Sequence, residues 1–541
     1  MATSGHLPAK FDDDPEFDLP ELAAHLVLED DTRFLTAGDT SVGEVFAVKF
    51  CPYQPVDADP VFAAVSKKHV AICKLWKDYN SGTSIFKTVR LIRDDDDGVS
   101  NCCCTWTRDP VTGAPYICVA GLDGIVKVYD VIEEKLVESF TGHGGGINDL
   151  ATSPVVPTIF ASASDDTTVR IWTMDLEHRE QPCLCILGGE GHIAEVLTAA
   201  FHDNGTFLLT GGHDHRINLW TLPELPKECR EAPIQVHYPH FSTSAVHGGI
   251  VDCVAFYGDY ILSKAHQDNI IVLWEILGFS SEDPPPAESI APLPQIPRPH
   301  DHPATQFTRS AFVPTVSAEC PLQYDRRMQF HTPKCGEMFF LRFQLHLQPD
   351  QHPILIFANP AGEIFMWDLE RIRAYNDIMS RLNDPDRSKN EPVRLPKWLG
   401  RLRAPTNGKS ISSGGKGSQR GSQTPEVDSN RIVYDISDIN PRNITDWQAK
   451  YSVTDRDHAL EPHSRMEVDI RGGDFNSGKG QKGARRYRVV KDPLVGRQAS
   501  WSPGGEWCVV VGSQNMILVL RRWKKKQYTS AERDEVVSQE S

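Results

Sequence analysis

The chain has 541 residues, of which 40% are hydrophobic, and a formal net charge of −17. The hydrophobic content supports a large folded core and excludes a wholly disordered chain, while the negative charge argues against a general nucleic-acid-binding protein. No apolar run is long enough to span a membrane, and residues 1–20 lack the apolar segment of a secretory signal, so we expect an intracellular protein.

Four stretches lack the pattern of packed elements. Residues 1–20 predict a disordered acidic arm and residues 527–541 a tail. Residues 280–317 are dense in proline, which favours an extended linker. Residues 376–484 form a long insertion, basic and partly disordered; within 381–420, ten Lys or Arg stand against three Asp or Glu, a local charge of +7. Such a segment is either a solvated linker or a contact for a polyanion.

A unit with three marked positions is repeated in the middle of the chain. These positions are occupied by His143, Asp166 and Trp172 and by His192, Asp214 and Trp220, and each of these histidines follows a glycine. A third copy has Asp268 and Trp274 but lacks the Gly-His pair. In each copy the aspartate precedes the tryptophan by six residues, and the first two tryptophans lie 48 positions apart. A fixed period with histidine, aspartate and tryptophan at these positions indicates a β-propeller blade.

The marked residues have a structural interpretation. The aspartate is expected in the tight turn between the second and third strands of a blade, where its carboxylate accepts backbone N–H groups. The histidine can donate to that aspartate, and the tryptophan can pack over both. We therefore interpret these histidines as structural and not catalytic.

The repeat predicts an all-β fold, a seven-bladed WD-repeat β-propeller with a long insertion in the sixth blade. Residues 21–375 are assigned to blades one to six and residues 485–526 to the closing blade. An apolar segment that begins at Leu22 is expected to close the ring, because pairing the two chain ends removes exposed sheet edges.

Further strands follow from the apolar pattern. We predict Leu322–Phe330 as the outer strand of blade five, Met338–Phe343 as the first strand of blade six, and Arg485–Val490 as the outer strand of blade seven. The insertion is expected to open with a short helix over Arg371–Leu382.

Blade two departs from the repeat. It keeps the turn aspartate, Asp123, but has Tyr129 in the place of tryptophan. The acidic run Asp94–Asp97 before it lacks the alternating spacing of a calcium loop, which favours a solvated loop. The run Cys102–Cys104 lies on a predicted strand, whose residues alternate faces, so the three thiols cannot serve together as metal ligands.

The order of these sequences resembles the embryonic ectoderm development (extra sex combs) family, the propeller subunits of the Polycomb repressive complex. The motifs that carry the resemblance are Gly142–Leu150, Gly188–Leu197, Val251–Phe256, Gly258–Lys264 and Phe365–Leu369. The resemblance covers roughly residues 40 to 375 and 485 to 523, and says nothing about the arm, the linker or the insertion.

The resemblance implies a nuclear protein without catalytic activity, cofactor or metal. One face of the ring would hold a SET-domain histone methyltransferase through a helix of that enzyme, next to a zinc-finger Polycomb subunit. The other face would bind a trimethyl-lysine histone tail and so stimulate repressive histone methylation. In this setting, residues 381–420 are a candidate contact for nucleosomal DNA through phosphate.

The resemblance also implies a methyl-lysine cage. Its aromatic positions fall on Phe46, Phe339 and Phe340, and Arg497 matches a polar residue that lines the pocket. Cys102 stands where the family has a tyrosine, which departs from an aromatic cage. The alternative for each aromatic residue is plain core packing.

Two other functions are less consistent with the sequence. A WD-repeat substrate receptor of a cullin ubiquitin ligase usually has Trp-Asp-x-Arg after a third strand, but here Glu370 occupies the arginine position after Trp367 and Asp368. An enzyme is disfavoured because no nucleophile–base pair, phosphate-binding glycine loop or metal-ligand spacing stands out.

Overall fold

A computed structural model describes the chain over residues 18–28, 43–76, 85–94, 96, 98–294, 307–313, 323–338, 340–349, 351–400, 402, 431–468, 470–471, 487–488 and 494–522. Seven sheets of four or five strands follow one another along the chain. The predicted seven-bladed β-propeller is therefore confirmed. The predicted arm before residue 18 and the predicted tail lie outside the described residues.

Blades one to four have the following strands, ordered from the inner to the outer edge of each sheet. Blade one has Val45–Phe50, Val61–Ser66, His69–Leu75 and Phe86–Arg93. Blade two has Asn101–Arg108, Pro115–Gly121, Val126–Asp130 and Lys135–Phe140. Blade three has Ile147–Thr152, Ile159–Ser164, Val169–Thr173, Cys183–Leu187 and Ile234–Val236. Blade four has Val196–Phe201, Phe207–Gly212, Ile217–Thr221, Phe241–Thr243 and Thr308–Ser310.

Blades five to seven complete the ring. Blade five has Val251–Tyr257, Tyr260–Ala265, Ile270–Ile276, Tyr324–His331 and Ala459–Leu460. Blade six has Gln344–His346, Ile354–Ala358, Glu363–Asp368 and Ser464–Glu467. Blade seven has Gly496–Trp501, Trp507–Gly512, Met516–Arg521 and Glu21–Val27. Two short ladders pair Val393–Arg394 with Ile432–Val433 and Ile470–Arg471 with Tyr487–Arg488.

The core lies between neighbouring blades. The second strands Phe207–Gly212 and Trp507–Gly512 are buried along their whole length, because both of their faces are covered by adjacent sheets. Five tryptophans are fully buried, namely Trp172, Trp220, Trp274, Trp367 and Trp507. Each blade thus buries its apolar faces only when its neighbours are present.

The ring is closed by the N-terminal strand. Glu21–Val27 pairs antiparallel with Met516–Arg521 and forms the outer strand of blade seven, as predicted for the segment that begins at Leu22. The prediction of Arg485–Val490 as this outer strand is wrong. The edge is already occupied, and Tyr487–Arg488 pairs instead with Ile470–Arg471.

Blade six begins later than predicted. Its inner strand is Gln344–His346 and not Met338–Phe343. Phe340 has a φ of 59°, in the left-handed region, so the backbone cannot continue there as an extended strand. The predicted outer strand of blade five is confirmed, at Tyr324–His331.

Residues 369–463 connect the third and fourth strands of blade six. Helix α1, Leu369–Asn383, confirms the predicted short helix and is capped by Asp368, whose carboxylate accepts the backbone N–H of Glu370. Helix α2, Pro441–Tyr451, packs on α1 through Tyr375 and Tyr451.

The structure corrects two predicted boundaries. Because Ser464–Glu467 is already the outer strand of blade six, the range 376–484 extends too far for the insertion. Thr308–Ser310, in the predicted linker 280–317, is the fifth strand of blade four, where the Thr308 and Thr243 hydroxyls lie 2.8 Å apart.

Four short 3-10 helices complete the described elements: Leu176–His178, Glu288–Ile290, Lys397–Leu399 and Ile436–Asp438. None of the helices that the structure describes is long and apolar enough to cross a membrane.

Candidate functional site

Blades three to five contain the same network of histidine, hydroxyl, aspartate and tryptophan. In blade three, His143 Nδ1 lies 2.8 Å from Asp166 Oδ2, and His143 Nε2 lies 2.7 Å from Ser162 Oγ. The Trp172 indole N–H donates to the same Ser162 oxygen over 2.8 Å. With a neutral histidine, every polar group of the network has a partner, which makes it a structural unit.

Blades four and five repeat this network. His192 lies 3.0 Å from Asp214 and 2.8 Å from the Thr210 hydroxyl, which accepts the Trp220 indole N–H. The corresponding residues of blade five are His247, Ser263, Asp268 and Trp274.

The turn carboxylates are held in their charged form. Burial alone raises the pKa of Asp166, but hydrogen bonds from His143 and Thr168 outweigh it, and the net pKa lies well below the usual range. The same balance lowers the pKa of Asp214 and Asp268. These aspartates are therefore ionised acceptors that fix the turn.

Blade two replaces this network with an ion cluster. The Lys127 ammonium lies 2.6 Å from Asp94, 2.8 Å from Asp96 and 3.6 Å from Asp123, and Tyr129 donates to Asp94 over 3.2 Å. Asp94 and Lys127 are both buried. The prediction of a solvated loop is therefore wrong for Asp94, because Lys127 supplies the charge that a buried carboxylate requires.

The inner strands of six blades are irregular at their second residue. The pairing register shifts there, as in a β-bulge, at Phe46, Cys102, Asn148, Leu197, Asp252 and Arg497. The inner strands of neighbouring blades contact one another around the ring, so the six residues surround one end of the central channel. A bulge re-aims a side chain. Phe46, Cys102 and Arg497 thus occupy equivalent positions in blades one, two and seven.

Phe46 and Arg497 lie together at this end of the channel. The guanidinium carbon of Arg497 is 5.8 Å from the centroid of the Phe46 ring, and Arg497 forms an ion pair with Glu44. Phe46 is half-buried and belongs to neither of the core clusters that contain the other apolar residues of its strand. Its position therefore differs from plain core packing.

Phe340 reaches the same end from blade six. It is half-buried, and its neighbours connect it to two blades: Leu341 N–H donates to Asp252 Oδ2 over 3.3 Å, and Arg342 N–H donates to the Arg497 carbonyl over 2.8 Å. The positive φ of Phe340 turns the chain at this point. Phe339 lies outside the described residues.

The Arg342 side chain crosses the channel from blade six to blades three and four. One guanidinium nitrogen lies 2.5 Å from Asp149, and another donates to the carbonyls of Asn148 and Leu197 over 2.8 and 2.9 Å. Arg342 therefore links blade six to the inner strands of blades three and four. Sequence reasoning missed both Arg342 and Asp149, and its only signal was one charged residue within the apolar run Met338–Phe343.

Cys102 and Cys103 approach the same carbonyl oxygen. Their sulfur atoms lie 3.2 and 3.7 Å from the Ile147 oxygen. Cys104 is buried in the core between blades one and two. The three thiols are therefore not collected at one point, but the expected strict alternation of faces fails for the first two, because the bulge lies at Cys102.

A partly apolar groove lies on the opposite face of the ring. Its lining comes from the segments after the first strand of blade two and after the third strands of blades three and four, and from two strands of blade three. The apolar lining residues include Pro110, Val111, Ile159, Leu176, Leu184 and Leu225, and the polar ones are Asp175, Glu177, His178 and Lys227. Val111 is 73% exposed and Leu176 61% exposed. Exposed apolar side chains that line one groove are typical of an interaction surface.

No group of three or more histidine, cysteine or carboxylate side chains that could hold a metal ion occurs within the described ranges.

Two segments of the chain match the model of a known repeat family. The family model of the WD domain, G-beta repeat, matches residues 134–173 and 182–221. Each match spans the outer strand of one blade and three strands of the next, so that the repeat links neighbouring blades.

The Polycomb protein EED of Chaetomium thermophilum is 42% identical over 95% of this chain and 98% of its own length. The Polycomb protein esc of Drosophila melanogaster is 28% identical over 61% of this chain and 72% of its own. Two solved structures match with 41% identity over 95% of this chain and 100% of theirs. They are the crystal structure of the Chaetomium thermophilum polycomb repressive complex 2, with a TM-score of 0.77, and ctPRC2 in complex with H3K27me3 and H3K27M, with a TM-score of 0.78.

Proposed function

The chain belongs to the Polycomb EED family of WD-repeat propellers, and we propose that it holds a histone methyltransferase on one face of its ring and binds a trimethylated histone lysine on the other. It is a non-catalytic scaffold and reader subunit of a Polycomb-type histone methyltransferase complex. The observation that carries the reader role is the pair of half-buried aromatic residues, Phe46 and Phe340, at one end of the channel. We expect this subunit to act in the nucleus.

The chemistry of that channel end suits a trimethylated ammonium. Such a cation cannot donate hydrogen bonds and is bound by the faces of aromatic rings, each of which contributes about 0.5–2 kcal/mol. Phe46 and Phe340 supply two faces, and Phe339 is proposed as a third. Arg497 does not present a bare positive charge to the ligand, because Glu44 neutralises it.

Cys102 makes one wall of the proposed cage weaker. It occupies in blade two the position that Phe46 occupies in blade one, and a thiol offers a smaller and less negative surface than a ring. We therefore expect the trimethyl-lysine peptide to bind, but with lower affinity than a cage with a tyrosine in this place would give.

Calorimetric titration with histone H3 peptides, trimethylated or unmethylated at lysine 27, tests the reader role. Phe340→Ala should weaken binding of the trimethylated peptide by about 2- to 30-fold, and Cys102→Tyr should strengthen it. Phe307→Ala is a matched control, because Phe307 is 52% exposed at the outer edge of blade four. Equal affinities of the wild-type protein for the two peptides would falsify the cage.

The groove on the opposite face is proposed to hold a helix of the SET-domain methyltransferase. An amphipathic helix buries its apolar face in such a groove, and Val111 and Leu176 present exposed apolar surface there. Val111→Asp and Leu176→Asp should each reduce co-purification of the methyltransferase. Leu122→Asp changes a 68% exposed leucine on the face that carries the proposed cage, and it should not reduce this co-purification. If all three variants retain the enzyme equally, the groove is not its binding site.

The zinc-finger Polycomb subunit and nucleosomal DNA are further proposed partners. In the described part of the basic segment, Arg381 lies 3.8 Å from Glu391 and Lys389 lies 2.8 Å from Asp435, so these cations are already paired. Residues 403–420 contain four Lys or Arg and no acidic residue. Phosphate contact is therefore proposed for 403–420.

Removal of residues 403–420 from the assembled complex tests the DNA contact. Nucleosome binding should weaken and its salt dependence should become shallower. If neither the binding at low salt nor its dependence on salt concentration changes, the segment is only a linker. Co-purification from cell extract tests the zinc-finger subunit. The ubiquitin-ligase alternative is not favoured, since the similar proteins are Polycomb proteins.

A further inference from the structure

We propose that Cys102 and Cys103 form a redox-active vicinal dithiol at the mouth of the channel, which a hydroperoxide converts into a disulfide. Adjacent residues of a regular strand point to opposite faces of the sheet, which keeps their side chains apart. Here the register shift between Asn101 and Cys103 interrupts that alternation. As a result, both sulfur atoms lie within 3.7 Å of the Ile147 oxygen.

The two thiols differ in access. Cys102 is half-buried beside the channel, whereas Cys103 is only 3% exposed. A reagent that enters the channel end therefore meets Cys102 first. Cys103, held against the carbonyls of Ala120 and Ile147, is in place to react with whatever forms on Cys102.

The electrostatics support the same order of reaction. A hydrogen bond with Cys103 lowers the pKa of Cys102, burial opposes this, and the Arg342 guanidinium lowers it further, so the net pKa is below that of an ordinary thiol. Asp149 and Asp165 act in the opposite sense. Burial raises the pKa of Cys103 well above its usual value. Since the thiolate is the nucleophile, Cys102 is the thiol that attacks.

The proposed reaction balances in two steps. The Cys102 thiolate attacks the outer oxygen of the hydroperoxide, the O–O bond breaks, and a sulfenic acid forms while hydroxide or alkoxide leaves. The Cys103 sulfur then attacks the Cys102 sulfur, the S–S bond forms, and the sulfenic oxygen leaves as water with the Cys103 proton. Two thiols lose two electrons, and the peroxide is reduced to an alcohol or water.

Cys104 provides a matched control in the next position of the same strand. Its thiol is buried in the core between blades one and two, and burial raises its pKa to about 12. If the reaction depended only on a local run of cysteines, Cys104 would serve as well as Cys103. If it depends on the bulge, Cys104 takes no part.

Peptide mass spectrometry of the full-length protein tests the proposal. The folded chain is treated with hydrogen peroxide, remaining thiols are alkylated, and the tryptic peptide over residues 94–108 is weighed. We expect a loss of two hydrogens, about 2 Da, with one alkylated cysteine, reversed by dithiothreitol. Cys104→Ala should keep the loss, and Cys102→Ala and Cys103→Ala should each abolish it.

Other outcomes would overturn the proposal. They are three alkylated cysteines after peroxide treatment, oxygen addition at Cys102 without a disulfide, or loss of the disulfide in Cys104→Ala. The first two outcomes are measured on the wild-type protein alone, so these tests do not depend on how well the variants fold. Fragment masses of the wild-type peptide locate the disulfide independently.

A change at the proposed cage is a consequence that rests on the proposed function. The disulfide would alter the wall at Cys102, and peptide affinity should differ between oxidised and reduced protein. If the disulfide forms but affinity is unchanged, the dithiol stands and the cage assignment of Cys102 fails.

Discussion

Blades two and three are neighbours whose first four strands have the same order, yet they fix the turn before their third strands with different chemistry. In blade three, His143, the Gly144 N–H and Thr168 hold the turn carboxylate of Asp166, and a serine hydroxyl links the histidine to Trp172. In blade two, the buried Lys127 ammonium gathers three carboxylates. The first arrangement consists of hydrogen bonds around one aspartate, and the second consists mainly of ion pairs.

The difference shows that the propeller requires a satisfied junction and not a particular set of residues. A polar network inside a protein is stable when each of its members has a partner. The histidine network meets this condition with hydrogen bonds, and the lysine cluster meets it with ion pairs. The two should nevertheless respond differently to loss of one member, because an uncompensated buried charge costs more than an unmade hydrogen bond.

The largest effect is expected from Lys127→Met. This change keeps the aliphatic volume but leaves the Asp94 carboxylate buried without its cation, which should lower the free energy of unfolding by about 3–5 kcal/mol. Denaturant unfolding measures the change. Lys135→Met is the control, because Lys135 is paired with Glu133 on the same blade but its side chain is 65% exposed. Equal stability of the two variants would show that the Asp94 pair carries no special weight.

A smaller effect is expected from Asp166→Ala in blade three. It leaves His143, the Gly144 N–H and the Thr168 N–H without their acceptor, and a loss of about 1–3 kcal/mol per buried unsatisfied group is expected. Asp203→Ala, at an exposed turn residue of blade four, should change stability little. A midpoint of unfolding that matches wild type in Asp166→Ala would contradict the role given to the turn.

These two junctions also mark what the sequence can and cannot predict. The network of blade three follows from spacing alone, since His143, Asp166 and Trp172 are fixed within one repeat. The cluster of blade two joins Asp94 and Lys127 across 33 positions, and no repeated pattern connects an acidic loop to a lysine on a strand. The number of blades follows from the period, and ring closure by the N-terminal strand follows from the need to cover sheet edges.

The channel end is predictable only in part, for the same reason. Resemblance to a family selects Phe46, Cys102, Phe340 and Arg497, but a bulge depends on the register of two paired strands. The sequence therefore gives no indication that Cys103 joins Cys102. Arg342 likewise binds blades three and four, which are distant in sequence, so only the assembled ring shows what it does.

The smallest effect, and the sharpest test of the comparison, is expected from Tyr129→Phe. The change removes one hydroxyl that donates to Asp94, and Lys127 still compensates that carboxylate, so the loss should be about 0.5–1.5 kcal/mol. In the Lys127→Met background, Asp94 depends more on the Tyr129 hydroxyl. Its removal should therefore lower the free energy of unfolding more than it does in the wild type. Denaturant unfolding of the single and double variants gives this coupling energy, expected at about 0.5–3 kcal/mol.

Combining Tyr129→Phe with Asp166→Ala should instead be additive, because the two residues share no hydrogen-bond partner in the described contacts. Additivity in both pairs would mean that blade two holds independent contacts and no cluster.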